Sequence, residues 1–546
     1  MPEWLNKAIF YEIYPQTFCD SNGDGIGDIQ GIIEKLDYVK NLGCNAIWLN
    51  PCFDSPFKDA GYDVRDYKKV APRYGSNEDL FRLFDEAHRK DMRVILDLVP
   101  GHTSEEHFWF TESRKIAPVD EYKNRYIWTD GWFFWGLEGL KFIAGEAERD
   151  GCYIINFFKC QPALNYGFLQ RREKWQLPPD HPDCLATREA LKDIMRFWLT
   201  GDKGRGCDGF RVDMADSLVK FDDEQKSATC AIWRNVREML DSEFPRAMMV
   251  SEWSSPVQSL KAAGFHADFL LDHGKSGYRS LVRDYEDGGA DNSYFRKDGG
   301  GDINRFLAQY LPWYEATKDD GFINFITGNH DTPRISYGLD RRELALAFAV
   351  IFTMPGVPFL YYGDEIGMRY LRDLPTKEGG YTRTGSRTPM QWQSGGNMGF
   401  SAAPAEKLYL PVDPDPSAPN VAGQEKDPAS LLNTVKSLLR LRREEEDLSA
   451  KPNLEILHPA ERGDAKGGNN KSGSTKSDPA SGDRSFVYRR GSLVMAVNPG
   501  AAPVKTPVSA DGTPRAMPMA LYAIGECGFE NGSYRLGPQS FGVWRV

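Results

Sequence analysis

NEDLFRLFDEAHRKDMRVILDLV, residues 77–99, decides the fold class of this chain. Its first half places Leu80, Phe81, Phe84 and Ala87 at helical spacing, with Ser76 or Asn77 able to cap the N-terminus. Its second half, RVILDLV (93–99), is a short apolar run of strand length. A helix running into a buried strand is the repeating unit of a parallel sheet, because parallel neighbours need a crossover between them.

The same alternation extends in both directions. Short strand-like runs stand at IFYEIY (9–14), AIWL (46–49), GFRV (209–212), MMVSEW (248–253), FINFI (322–326) and VPFLYY (357–362). Helical patterns lie between several of them, as from Gly31 to Asn41, where Ile32, Ile33, Leu36 and Val39 recur. The pattern predicts parallel β-α-β units. It breaks between Gly101 and Asp183, a stretch rich in aromatics, Gly and Pro that is too long for one connection and predicts a small inserted domain (101–183) after the third strand. A second long connection, Gly363 to Asp427, precedes an amphipathic helix carrying Leu431, Leu432, Val435, Leu438, Leu439 and Leu441. From Lys451 onward, runs such as SFVYRR, SLVMAV and SFGVWRV predict an antiparallel β domain (451–546). Within it, residues 463–482 lack apolar side chains beyond Ala and are expected to form a flexible surface loop.

The 546 residues are 41% hydrophobic and 27% charged, which excludes disordered and fibrous classes. With 67 Lys+Arg against 78 Asp+Glu the net charge is −11, which disfavours nucleic acid and anionic membrane surfaces as partners. No apolar run reaches the ~18 residues of a membrane span, and the N-terminus carries no secretory pattern. Nine scattered cysteines without a C-x-x-C pair argue against structural zinc and a disulfide framework. The expectation is a cytoplasmic protein with no organic cofactor. Aromatics make up 12%, and flat apolar rings with polar edges suit sugars.

Acidic residues stand directly after predicted strands. Asp213 follows GFRV, Glu252 ends MMVS, and His330 with Asp331 follows FINFITGN. Acids converging at strand ends are what glycoside cleavage needs: one carboxylate at the anomeric carbon and one carboxyl group protonating the leaving oxygen. Arg211, two residues before Asp213 and on the same face of a strand, is placed to keep it ionised.

The segments GYD (61–63), DLVPGHTS (97–104), GFRVDMADS (209–217), VSEWSSP (250–256) and FITGNHDTPR (325–334) resemble, in order and spacing, the motifs of glycoside hydrolase family 13, the α-amylase family. DSNGDGIGD (20–28) and RTPMQW (387–392) point to its oligo-1,6-glucosidase, α-glucosidase and trehalose synthase branch. The resemblance implies a (β/α)₈ TIM barrel over 1–100 and 184–450, a domain inserted after strand three, and a C-terminal antiparallel β-sandwich. It implies Asp213 as nucleophile, Glu252 as general acid/base and Asp331 as the third carboxylate. It further implies Asp63, His102, Arg211 and His330 as ligands of the non-reducing glucose, Tyr62 as its stacking platform and Arg334 beside the sugar.

In DSNGDGIGD, Asp20, Asn22, Asp24, Asp28 and the Ile26 carbonyl offer oxygens at alternate positions of a tight loop, as a hard cation requires. Gly31 stands where an EF-hand would place Glu, and the resemblance implies a single structural Ca²⁺, or Mg²⁺, remote from the chemistry. Three departures from the family pattern bear on substrate choice. Gly101 replaces the usual Asn before His102, Ala163 replaces Asp in QPALN (161–165), and Met214 follows the nucleophile. The expected activity is an exo-acting, retaining α-glucosidase on small α-glucosides or oligosaccharides. The alternatives are a glucosyl transferase or isomerase such as trehalose synthase and, more remotely, a non-catalytic carbohydrate-binding relative. Linkage and oligomeric state stay open.

Overall fold

A computed structural model describes residues 1–131, 139–271, 276–285, 291–459, 483–507 and 518–546. The apolar runs become strands: β1 (Phe10–Ile13), β2 (Ala46–Leu49), β3 (Arg93–Leu98), β4 (Gly209–Val212), β5 (Met248–Ser251), β6 (Ala267–Leu270), β7 (Phe322–Phe325) and β8 (Phe359–Tyr361). Helix Asn77–Arg89 begins at Ser76, whose hydroxyl accepts from the Asp79 N–H while the Asp79 carboxylate accepts from the Ser76 N–H. The Gly31–Asn41 pattern forms two helices instead of one, Ile29–Glu34 and Leu36–Leu42, because the backbone opens at Lys35 (φ −102°, ψ 3°). Strand β6 escaped the sequence reading because Asp268 interrupts its apolar run. Asp268 is tolerated in the interior by accepting from the Ser251 hydroxyl and from the Ser254 and Ser255 N–H groups.

The chain divides into two compact units. The first comprises Met1–Leu5, Phe10–Phe269 and Leu371–Pro414. In it β1 to β6 pair in chain order, each with the next and all in parallel, with Ala46 opposite Arg93, Asp97 opposite Arg211 and Arg211 opposite Val250. The strands are buried on both faces, as all-parallel sheets require. Residues 101–183 of this unit hold the helix Phe108–Ser113 and the hairpin Lys141–Ala144/Cys152–Ile155. Ile127, Ile154, Ala163 and Phe168 of this stretch form an apolar cluster, so Ala163 is a core residue.

The second unit comprises Asn6–Ile9, Leu270–Tyr370 and Asp415–Val546. It contains β7 and β8, bridged in parallel through Ile326 and Phe359. Helix Arg341–Thr353, buried from Glu343 to its end, packs on Leu431–Glu444. Two antiparallel sheets follow. The five-stranded one runs Leu454–Pro459, Phe486–Arg490, Leu493–Asn498, Ser540–Arg545, Met519–Ile524, and the three-stranded one Val504–Pro507, Ser533–Leu536, Cys527–Glu530. Val487, Val494, Ala496 and Trp544 of the first sheet meet Tyr534 and Leu536 of the second in a shared core. Arg490 ties this domain inward, donating to the carbonyls of Thr353, Ser449 and Lys451. The segment 463–482 lies outside the described residues. Among the described residues no helix is long and apolar enough to cross a membrane.

Candidate active site

The register of three neighbouring strands builds the centre of the site. Asp97 on β3 lies opposite Arg211 on β4, so the two side chains share one face of the sheet. Arg211 is 1% exposed. Its Nη1 donates to Asp97 Oδ1 at 2.8 Å and to Asp213 Oδ1 at 3.0 Å, while its Nη2 lies 2.8 Å from Glu252 Oε1. One guanidinium thus holds three carboxylates, the two expected reactive ones from different nitrogens, which its planar fork permits and an ammonium would not. Desolvation and the surrounding carboxylates act on it in opposite directions, and its pKa stays well above the ordinary arginine value.

Asp97 belongs to this cluster and was passed over in the sequence reading. Its Oδ2 accepts from the Trp48 indole N–H and the Tyr62 hydroxyl, each at 3.1 Å. Burial pushes its carboxyl up to about 6 against the pull of Arg211. The available signal was a single acid inside the apolar run RVILDLV, a position where only a paired charge is tolerated.

Met214 has a left-handed backbone (φ 42°, ψ 49°), uncommon for an unbranched non-glycine residue. That turn directs its N–H to Glu252 Oε2 at 3.0 Å, so the residue after Asp213 holds the second carboxylate through its backbone. Gly209, at the head of β4, allows the strand its close approach: with φ +145°, a Cβ there would lie 2.2 Å from the Met248 carbonyl oxygen.

Tyr62 joins the cluster through its hydroxyl, 3.5 Å from Arg211 Nη1. Asp63 is fully buried, and its carboxylate accepts from the Ser55 hydroxyl and from the Lys58 and Asp59 N–H groups, which offset part of the upward push of burial. His102 is 2% exposed and pushed down to about 3 by burial, hence neutral. Asp59 beside this loop is raised to about 6 by burial, although Gln161 donates to it at 2.7 Å and Arg383 lies 3.6 Å away.

In the second unit, His330 is buried beside Asp331, with Nε2 3.3 Å from Oδ2, and the Asp331 N–H donates to Asn329 Oδ1. Arg334 is enclosed: Nη1 pairs with Asp364 Oδ1 at 3.0 Å and donates to the Tyr362 carbonyl at 2.8 Å, both side chains being 0% exposed.

In the 20–28 loop the oxygens are engaged by the chain itself. Asp20 accepts from the N–H groups of Asn22, Gly23 and Gly25, Asn22 from that of Asp24, and Asp24 from that of Ile26. Asp28 caps the Ile29–Glu34 helix through the Gly31 N–H and also accepts from the Ser21 hydroxyl. Among the described residues no three His, Cys, Asp or Glu side chains are gathered as for a metal ion.

The family model for the α-amylase catalytic domain matches residues 12–451. The trehalose synthase/amylase TreS of Mycobacterium tuberculosis is 32% identical over 496 residues, covering 81% of this chain and 75% of that protein. The glucan 1,6-alpha-glucosidase of Streptococcus pneumoniae is 32% identical over 506 residues (84% and 88%), and the oligo-1,6-glucosidase of Heyndrickxia coagulans 32% over 505 (81% and 85%). Among solved structures, a trehalulose synthase in complex with Tris superposes with a TM-score of 0.76 at 25% identity, covering 100% of both chains. An isomaltulose synthase from Erwinia rhapontici in complex with sucrose gives 0.75 at 25% identity, covering 100% of this chain and 99% of the other.

Proposed function

Because the chain belongs to the α-amylase family of glycoside hydrolases, with its (β/α)₈ barrel and C-terminal antiparallel domain, we propose that it is a retaining, exo-acting α-glucosidase releasing glucose from the non-reducing end of short α-glucosides. The observation that carries this reading is the grip of one buried guanidinium on both Asp213 and Glu252. Asp213 attacks the anomeric carbon, forming an ester as the glycosidic C–O bond breaks, and the Glu252 carboxyl group gives its proton to the departing oxygen. Water then attacks the glucosyl-enzyme, Glu252 takes a proton from it, and Asp213 is freed. Arg211 keeps both groups at one end of the sheet and supplies the positive charge that favours an ionised nucleophile. Tyr62 carries the apolar face of the bound glucose, and Asp63 and His102 hold its hydroxyls; the roles of Asp331, His330 and Arg334, in the second unit, rest on the family motif alone. The relatives named oligo-1,6-glucosidase and glucan 1,6-alpha-glucosidase support the substrate class.

A second reading has specific support in a relative named trehalose synthase/amylase and in solved structures named trehalulose synthase and isomaltulose synthase: the same glucosyl-enzyme would pass its glucosyl group to another sugar hydroxyl instead of water. A product time course on maltose, isomaltose, trehalose, sucrose and longer glucans separates the two. Glucose from short substrates supports the hydrolase; a new disaccharide formed faster than glucose replaces it with the transferase.

A Ca²⁺ or Mg²⁺ ion in the 20–28 loop would share oxygens already accepting backbone N–H groups, using their remaining lone pairs to brace the loop. The cytoplasmic placement rests on nine free thiols, eight of them buried.

A further inference from the structure

Four groups in the first unit form a hydrogen-bonded chain whose direction is set at both ends. Lys220 Nζ lies 3.0 Å from Asn156 Oδ1 and 2.9 Å from the Ser217 carbonyl. An ammonium only donates, so the amide oxygen of Asn156 must face it. Asn156 Nδ2 faces the other way, donating to the Gly101 carbonyl at 2.9 Å and lying 3.3 Å from His102 Nδ1. A carbonyl only accepts, so the far side independently requires the amide nitrogen, and the two ends together fix the amide orientation. His102 Nδ1 is therefore an acceptor. The ring proton sits on Nε2, 3.2 Å from the Tyr62 carbonyl, another obligate acceptor.

We propose that Asn156, anchored by Lys220, is a positioning residue that locks His102 in the Nε2–H tautomer and so ties the imidazole to the backbone of Tyr62, the residue before Asp63. Gly101 is a condition of this arrangement. A Cβ at that position would lie 2.8 Å from Asn156 Nδ2, so the amide occupies space that any side chain at 101 would claim. The departure at Gly101 and the presence of Asn156 are one feature.

The electrostatics point the same way. A protonated His102 would set Nδ1–H against the Asn156 N–H, and both burial and the Lys220 charge disfavour that state. Lys220 is pushed down to about 8 by burial, with Asp216 opposing and Lys226 reinforcing the shift. Only the kinetic consequence rests on reading His102 as a glucoside ligand; the tautomer does not.

The test is ¹⁵N NMR of the full chain labelled at histidine, with His102 assigned by comparison with His102→Gln. The unaltered protein, Asn156→Ala and Asn156→Asp are compared, with a thermal midpoint confirming that each is folded; Gly101→Ala disturbs the same contact if a variant at 156 fails to fold. The unaltered protein is expected to show a neutral, Nε2-protonated His102 from pH 5 to 8. Asn156→Asp offers Nδ1 an acceptor and is expected to move the proton there or to charge the ring, adding a limb to the pH profile of kcat/KM. Asn156→Ala is expected to mix the tautomers and lower kcat/KM roughly fivefold, the worth of one hydrogen bond, mainly through KM. An Nδ1-protonated His102 in the unaltered protein, or an unchanged tautomer in every folded variant, overturns the proposal. A switched tautomer with unmoved kinetics upholds the lock and overturns the sugar-binding role given to His102 above.

Discussion

Replacing Arg211 by Met isolates the contribution of the central charge. The guanidinium is 1% exposed, and it contacts the Asp97 side chain, which is 0% exposed, and the Asp213 and Glu252 side chains, each 12% exposed. Removing one partner of a buried ion pair costs about 3–5 kcal/mol, because the remaining charge keeps its desolvation penalty without compensation. Here three carboxylates lose one cation, so the upper part of that range is expected at pH 8, a factor on the order of 10³ in the folding equilibrium. The loss should depend on pH with a definite sign. Asp97 is already raised to about 6, with Arg211 the first of the influences pulling it down. Without Arg211 its folded-state pKa rises further above the unfolded value. A carboxyl group raised by folding stabilises the native state when protonated and loses that contribution as pH climbs through the folded pKa. The deficit of the variant should therefore be largest at pH 8 and shrink toward pH 5. Urea unfolding followed by Trp fluorescence at several pH values measures it. Asp97→Asn in the Arg211→Met background should recover part of the loss. Equal midpoints for the variant and the unaltered protein at pH 8 would refute an ionised, guanidinium-centred cluster.

Gly209→Ala should destabilise the first unit by about 1–3 kcal/mol from backbone strain alone, with more from the clash at the Met248 carbonyl; a thermal midpoint within a degree of the original would contradict the close approach described. Arg490→Met leaves the carbonyls of Thr353, Ser449 and Lys451 without their donor and should lower stability by about 1–3 kcal/mol while leaving kcat unchanged, read by parallel melting and activity assays. If the 20–28 loop takes a cation, Ca²⁺ at 100 times its Kd should add about 2.7 kcal/mol relative to EDTA-treated protein, and Asp20→Ala should abolish the difference; identical melting in both conditions would remove the metal from the account.

Much of this architecture was legible because burial on both faces leaves plain apolar runs, and because acids directly after such runs stand out against them. Asp213 and Glu252 were found that way, and the structure gathers them on Arg211. Residues that break the apolar pattern from inside an element were harder to read. Asp97 within β3 and Asp268 within β6 are tolerated by partners far away in sequence, Arg211 in one case and Ser251 with the 254–255 backbone in the other. Arg334 shows the opposite limit, since its place in the motif suggests a sugar neighbour and says nothing of Asp364, thirty residues on, with which it pairs. Periodicity placed a helix near Gly31–Asn41 but not its break at Lys35, because the apolar spacing of Ile32, Ile33, Leu36 and Val39 runs on through the break unchanged.

The covalent role proposed for Asp213 is tested most directly by incubating the enzyme with a fluoroglucosyl fluoride and mapping the modified peptide by mass spectrometry. A single glucosyl adduct on Asp213, absent from Asp213→Asn, is expected. An adduct on another carboxylate, or full turnover by Asp213→Asn, would contradict that role.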